Sequence, residues 1–241
     1  MMRIAAKGLS VGHSAEKVLL RDISFELRRG ESLAFVGASG CGKTTLLKTL
    51  AGILPLLDGE ASVLGTALPS RPPRGKVGYI PQNLGLVQNA TVLENVLYGL
   101  AAELTTSRSI SGVFPEEHLS RARAALAEVG LSHKADSSPR QLSGGEKRRV
   151  AIARAIVQRP EVLLADEMFS ELDPKSAEEV LAALKRIQDG HGTAIVLVEH
   201  NLTMACGTAD TIVGLRDGGI VARCSRGEKP ECLLEVFYGK S

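Results

Sequence analysis

The sequence predicts an α/β fold: a mostly parallel sheet wrapped by helices, with a β-rich N-terminal part and a helical insertion. Three observations point to it. The apolar run Ser32-Leu33-Ala34-Phe35-Val36 reads as a buried strand and leads through a glycine-rich loop into a helical run, Thr44 to Ala51. The last third alternates apolar runs, Val162 to Ala165 and Ala194 to Val198, with a helical stretch from Pro174 to Gln188. Residues from about 88 to 158 carry helix signals instead. At 241 residues, 44% of them hydrophobic, the chain can bury a full core of this kind.

In chain order, residues 3–9 and 23–27 are short extended stretches separated by a polar turn at Gly12 to Lys17. The helix after the glycine-rich loop stops near Gly52. An Asp58-Gly59 turn then introduces strand Ala61-Ser62-Val63-Leu64-Gly65. Pro69 to Gly75 is a surface loop by its Pro, Arg and Gly content, and Val77-Gly78-Tyr79-Ile80 returns as a strand ending at Pro81. Thr91-Val92-Leu93-Glu94 is a capping box, which starts a helix by satisfying two orphan N–H groups. A second helix runs from about Pro115 to Val129, with Leu119, Ala122, Leu126 and Val129 on one face and Gly130 as its stop. Asp217-Gly218 lies between two β-rich runs as a hairpin signal.

Composition narrows the partners. A net charge of +2 argues against binding nucleic acid through bulk positive charge, and 3% aromatics with no Trp argues against base-stacking platforms. Cys41, Cys206, Cys224 and Cys232 form no C-x-x-C pair and are expected to be reduced thiols. Met1-Met2-Arg3-Ile4 lacks the apolar stretch of a secretory leader, and no apolar run approaches the ~20 residues that cross a bilayer. The expectation is a chain that does not span a membrane itself but can dock on one that does.

Gly37-Ala38-Ser39-Gly40-Cys41-Gly42-Lys43-Thr44-Thr45 fits G-x-x-x-x-G-K-[ST] between a strand and a helix, the context that gives this pattern meaning. The glycines let successive N–H groups face inward, and the helix N-terminus adds its positive end. Lys43 can then reach the β- and γ-phosphates, and the Thr44 hydroxyl can coordinate Mg²⁺, so the chain is expected to bind ATP or GTP. Glu161-Val162-Leu163-Leu164-Ala165-Asp166-Glu167 is a buried strand ending in adjacent carboxylates, which is costly unless positive charge sits opposite. Asp166 is therefore the metal-side carboxylate, and Glu167 is placed to orient or deprotonate an attacking water. Leu142-Ser143-Gly144-Gly145-Glu146 is a second capping box whose paired glycines also open N–H groups to an anion. A second phosphate-binding helix start suits another molecule's nucleotide, hence a head-to-tail dimer with ATP at its interface.

Gly37 to Thr45, Gln82, Leu142 to Glu146, Asp166-Glu167, Asp173 and His200 stand in the order and approximate spacing of ABC transporter nucleotide-binding subunits, and the resemblance covers nearly the whole chain. It implies a P-loop NTPase (RecA-like) core with an N-terminal antiparallel β subdomain and an inserted α-helical subdomain. All of 1–241 is then one ABC ATPase domain, with 1–87 and 159–241 as β subdomain and α/β core and about 88–158 helical. It implies phosphate contacts for Lys43, Thr44 and Thr45, and Mg²⁺ sensing with partner coupling for Gln82. Ser143, Gly144 and Gly145 become the signature that reaches the opposite protomer's γ-phosphate. Asp173 becomes the dimer-contact aspartate and His200 the switch histidine. Structural alternatives stand beside these roles: Gln82 as a polar residue after a strand, Asp173-Pro174 as an N-cap with Pro at N1, His200 as a strand-end histidine. The chain departs from the family where Met168 and Phe169 follow Glu167, since proline usually comes next there, and at Glu171, commonly small and apolar. His13 stands where relatives commonly carry an adenine-stacking Tyr.

The same resemblance implies ATP and Mg²⁺, a homodimer, integral permease subunits, an extracytoplasmic solute-binding protein acting indirectly, and a peripheral place on the cytoplasmic face of the membrane. Val92 to Gly99, Phe114-Pro115-Glu116-Glu117, Ile212 to Gly218 and Phe237-Tyr238-Gly239 are similar to phosphonate-import ATPases. That points to import of phosphonate or a related phosphorus oxyanion. A soluble ABC ATPase scaffold of the iron–sulfur assembly type, or an exporter or lipid-extraction motor, are the alternatives.

Overall fold

Two long strands open the chain in the computed structural model, which describes residues 1–103, 114–228 and 233. β1 (Met2–Ser14) and β2 (Lys17–Arg28) pair antiparallel. Both outrun the stretches expected at 3–9 and 23–27. The Gly12 to Lys17 turn contracts to Ala15-Glu16 because Gly12 pairs with Val18 and Ser14 with Lys17, so polar residues there lie on the ladder. After β3 (Ser32–Gly37) and α1 (Lys43–Leu50) come β4 (Asp58–Val63), β5 (Thr66–Ala67) and β6 (Val77–Ile80). Asp58-Gly59 opens β4 instead of forming a turn. Asp58 pairs with Ser10, and the β1 register shifts between Lys7 and Ser10, so the chain bulges there without reversing. The reversal comes at Leu64-Gly65, both with positive φ.

The middle of the chain supplies α2 (Val92–Leu97), α3 (Glu116–Glu128) and α4 (Gly144–Gln158). Then follow β7 (Val162–Asp166), α5 (Pro174–His191), β8 (Ala194–Glu199), α6 (Leu202–Thr208), β9 (Thr211–Arg216) and β10 (Gly219–Ser225), the last two flanking the Asp217-Gly218 turn. The capping boxes at Thr91/Glu94 and Ser143/Glu146 both close, and Asp173 caps α5 with Pro174 in its first turn. α6 has no counterpart among the sequence signals: its seven residues, with Gly207 inside, carry no readable periodicity, although Asn201 caps it.

A four-stranded antiparallel sheet has order β2-β1-β4-β5, and a six-stranded sheet has order β10-β9-β3-β8-β7-β6. In the larger sheet all neighbours are parallel except β9 and β10. Its central strands are apolar on both faces, as parallel strands covered on both sides must be. Leu33, Phe35, Val162, Leu164, Val196 and Val198 face α1 and the N-terminal sheet. Ala34, Val36, Leu163, Ala165, Ile195 and Leu197 face the helical layer. The Phe25 and Phe35 rings meet edge to face at 5.2 Å, tying the small sheet to the large one. Each such ring buried is worth about 2–3 kcal/mol. Among the described residues no helix is long and apolar enough to cross a membrane. Cys41 and Cys206 are free thiols; Cys232 and Phe237-Tyr238-Gly239 lie outside the described residues.

Candidate functional site

Four parallel strands deliver their C-terminal ends to one edge of the sheet, the edge where open α/β sheets bind ligands. β3 runs into the loop Gly37 to Gly42, β7 ends in Asp166 before Glu167, β8 ends in Glu199 before His200, and Gln82 follows β6 by two residues.

The loop after β3 is built around Gly42 and Lys43. Gly42 is the N-cap of α1 at φ 108°, and a Cβ there would come within 2.9 Å of Leu19 Cβ, so only glycine fits. Lys43 is 5% exposed, and its Nζ donates to the carbonyls of Gly37 at 2.8 Å and Ala38 at 2.9 Å. Ala38, Ser39 and Gly40 are exposed at the mouth of the loop, Cys41 is half-buried, and Thr45 is buried against the core. The Thr44 hydroxyl donates to Asp166 Oδ1 at 3.2 Å.

The acid pair divides into two environments. Asp166 is 1% exposed, and its Oδ2 has no hydrogen-bond partner. Burial pushes its carboxyl above the usual range, a shift that the Thr44 hydrogen bond opposes. An orphaned buried carboxylate oxygen beside a hydroxyl is an all-oxygen donor set that suits a hard divalent cation such as Mg²⁺. Glu167 sits in the left-handed region at φ 51°, its N–H donating to Val198 O at 3.0 Å. That turn points its carboxylate at two other predicted residues. Gln82 Nε2 donates to Glu167 Oε2 at 2.6 Å, and His200 Nδ1 lies 3.9 Å from Oε1. Gln82 thus meets Glu167 and makes no hydrogen bond to Thr44 or Asp166.

Ser143, Gly144 and Gly145 start α4 elsewhere. The Ser143 hydroxyl accepts the Glu146 N–H at 3.2 Å, and Glu146 Oε2 accepts the Ser143 N–H at 2.8 Å. A Cβ on Gly145 would approach Ser176 Cβ to 2.8 Å, so α5 packs against this glycine. Asp173 is exposed, and its carboxylate accepts both the Ser176 N–H at 3.0 Å and its hydroxyl at 2.5 Å. Those bonds hold its carboxyl below the usual range. Among the described residues no hydrogen bond joins Ser143 to Gly145, or Asp173, to the loop after β3. His13 is exposed near the end of β1, two residues beyond Val11, whose register partner Leu20 packs against Gly42.

Three charged residues outside every motif hold this edge together. Arg154 of α4 donates to Leu84 O at 2.6 Å and Gly85 O at 2.9 Å, fixing the loop after Gln82; burial lowers its pKa. Arg148, earlier on the same helix, donates to Ser170 O at 2.6 Å and Oγ at 3.0 Å. Glu199 is fully buried, accepts the Phe169 N–H at 3.3 Å, and is pushed up to about 7 by burial, against the pull of the Phe169 and Met168 N–H groups. Met168, where a proline is usual, therefore keeps an N–H that faces Glu199, and its side chain is fully buried. The readable signal was there: Glu199, like Asp166, is an acid closing a run of buried apolar residues.

A sequence model of the ABC transporter family matches residues 20–170. The Phosphonates import ATP-binding protein PhnC of Thiobacillus denitrificans is 40% identical over 91% of this chain and 86% of its own length. The Hypophosphite import ATP-binding protein HtxD of Stutzerimonas stutzeri is 37% identical over 99% of this chain and 72% of its own length. Among solved structures, the dimeric post-hydrolysis state of the ATP-binding cassette MJ0796 bound to ADP and Pi superposes with a TM-score of 0.80. Its identity is 27%, and the match covers 94% of this chain and all of that one. The phosphate-binding loop, the acid pair at a parallel strand's end and these likenesses agree: the chain belongs to the ABC transporter family, as an ATP-binding, ATP-hydrolysing cassette.

Proposed function

We propose that this ATPase powers import of phosphonate or a related phosphorus oxyanion through a separate permease, on the cytoplasmic face of the membrane. The observation that carries the reading is 40% identity to a phosphonate import subunit over 91% of the chain. The triphosphate is cradled by the N–H groups from Ala38 to Thr45, with His13 against the base. Lys43 exchanges its Gly37 and Ala38 carbonyls for phosphate oxygens. Thr44, Asp166 and Gln82 would hold Mg²⁺, which when bound would offset the negative charge of the phosphates. Glu167 takes the proton of the attacking water, and Gln82 and His200 on either side keep its carboxylate aimed.

A second protomer completes each site. Ser143 and Gly144 are exposed at a helix start that makes no hydrogen bond to its own phosphate loop among the described residues, with Gly145 buried behind them against Ser176 and Asp173 exposed beside them. They serve the partner's nucleotide in a head-to-tail homodimer. Closing on ATP then moves α4, because Arg154 links it to the loop carrying Gln82. An extracytoplasmic binding protein would select the solute, so no residue of this chain reads it.

The test is growth of a strain lacking this subunit on methylphosphonate as sole phosphorus source, with inorganic phosphate as control. Loss of growth on phosphonate alone, restored by the wild-type gene and not by Glu167→Gln, is the expected result. Undiminished phosphonate growth would overturn the solute assignment.

A further inference from the structure

Val198 and Glu199 at the end of β8, and His200 just beyond it, each take hold of the short loop after Asp166. The Val198 carbonyl accepts the Glu167 N–H at 3.0 Å, the Glu199 carboxylate accepts the Phe169 N–H at 3.3 Å, and the His200 ring faces the Glu167 carboxylate at 3.9 Å. From the opposite side Arg148 grips Ser170 through its carbonyl and hydroxyl, and that hydroxyl donates to the Glu167 carbonyl at 3.2 Å. Of these holds, Glu199 is the expensive one. It is a fully buried acid with one oxygen, Oε2, lacking a partner, and its charged neighbours are Glu167 and Arg148. An apolar residue could fill the same volume without that cost. Its benefit must lie where its hydrogen bond goes, into the backbone two residues beyond Glu167.

We propose that Glu199 is a positioning residue for ATP hydrolysis: by accepting the Phe169 N–H it fixes the left-handed turn at Glu167 and so aims that carboxylate. A backbone held at φ 51° by a non-glycine residue is strained, and it persists only when the surroundings over-determine it. Glu199 supplies one of those determinants from inside the core, and Arg148 supplies another from α4. The role rests on Glu167 being the hydrolytic base.

The experiment measures steady-state ATP hydrolysis and nucleotide affinity for the full chain in four forms: wild type, Glu199→Leu, Glu199→Gln and Glu167→Gln. Leu fills the volume and removes the acceptor; Gln keeps an acceptor oxygen without the charge. For Glu199→Leu, kcat is expected to fall about tenfold with KM and nucleotide Kd unchanged, a loss the size of one buried hydrogen bond. Glu199→Gln is expected to restore kcat to within about threefold. Wild-type kcat in the Leu variant, a rise in KM matching the fall in kcat, or a Gln variant as slow as the Leu variant would each overturn the proposal. If the Leu variant does not fold, Glu199→Thr takes its place with the same expected loss, being polar yet too short to span to Phe169. Glu167→Gln separates the two assignments. Wild-type turnover there sinks the base itself, whereas a stalled Glu167→Gln beside a fully active Glu199→Leu sinks only the positioning role.

Discussion

The Lys43 ammonium lies 2.8 and 2.9 Å from the Gly37 and Ala38 carbonyls, so its charge is held inside the loop before any phosphate arrives. Lys43→Ala should therefore leave the fold intact while weakening Mg-ATP binding by about ten- to a hundredfold, the worth of charge-assisted hydrogen bonds. Isothermal titration with ATP checks this, and unchanged affinity would mean that the loop binds through its N–H groups alone. Glu199 offers a second test through stability. Its carboxyl is raised from 4.5 to about 7, so between those values the folded chain keeps a proton that the unfolded chain has lost. Stability contributed by this group is thus highest below about pH 4.5 and declines up to about pH 7, by at most about 3 kcal/mol, then stays level. Glu199→Gln has no such titration. Relative to wild type, its melting temperature should rise as the pH goes from 5 to 8, and parallel curves would contradict the burial argument.

At the scale of elements, α4 is the part that faces two ways. Its first turn is the Ser143 capping box, its middle grips Ser170 through Arg148, and its last turns hold Leu84 and Gly85 through Arg154. Ser143→Arg loses the cap, a cost of about 1 kcal/mol, and sets a bulky cation at the helix start. ATP binding to a single protomer should survive, because the phosphate loop makes no hydrogen bond to Ser143, while turnover should fall to background. Fluorescent-nucleotide binding measured beside phosphate release separates the two; loss of binding itself would assign the signature to its own protomer's site. The elements were largely legible beforehand because each had a local cause: caps at Thr91, Ser143 and Asp173, and unbroken apolar runs for β3, β7 and β8. What failed to show was decided at a distance. The reach of β1 and β2 depends on cross-strand pairing, and Asp58-Gly59 reads as a turn until the β1 bulge is seen. Of the site, motif order gave Lys43, Thr44, Asp166 and Glu167, whereas Arg148, Arg154 and Glu199 matter through backbone groups that no motif records.

At the scale of the whole molecule, the proposed site residues fall into two groups with no hydrogen bond between them among the described residues. The phosphate loop, Asp166, Glu167, Gln82 and His200 converge at one sheet edge, and the start of α4, with Ser143 and Gly144 exposed, lies beside Asp173 and α5. In the proposed homodimer, each protomer would complete the other's site across a closed two-fold interface. Hydrolysis then ends the clamp, so a variant that binds ATP without cleaving it should stay clamped. Glu167→Gln keeps the Gln82 contact within reach and removes only the base, leaving the phosphate loop untouched. In saturating Mg-ATP it should elute and scatter light as a dimer, revert to monomer in Mg-ADP, and turn over at least about a hundredfold more slowly than wild type, the scale of a lost general base. Ser143→Arg introduced into the same background should abolish the dimer while nucleotide binding persists. A stalled double variant that still dimerises would show that the signature lies off the interface, and a Glu167→Gln chain that remains monomeric in Mg-ATP, alone and with its permease, would remove the shared-site arrangement altogether.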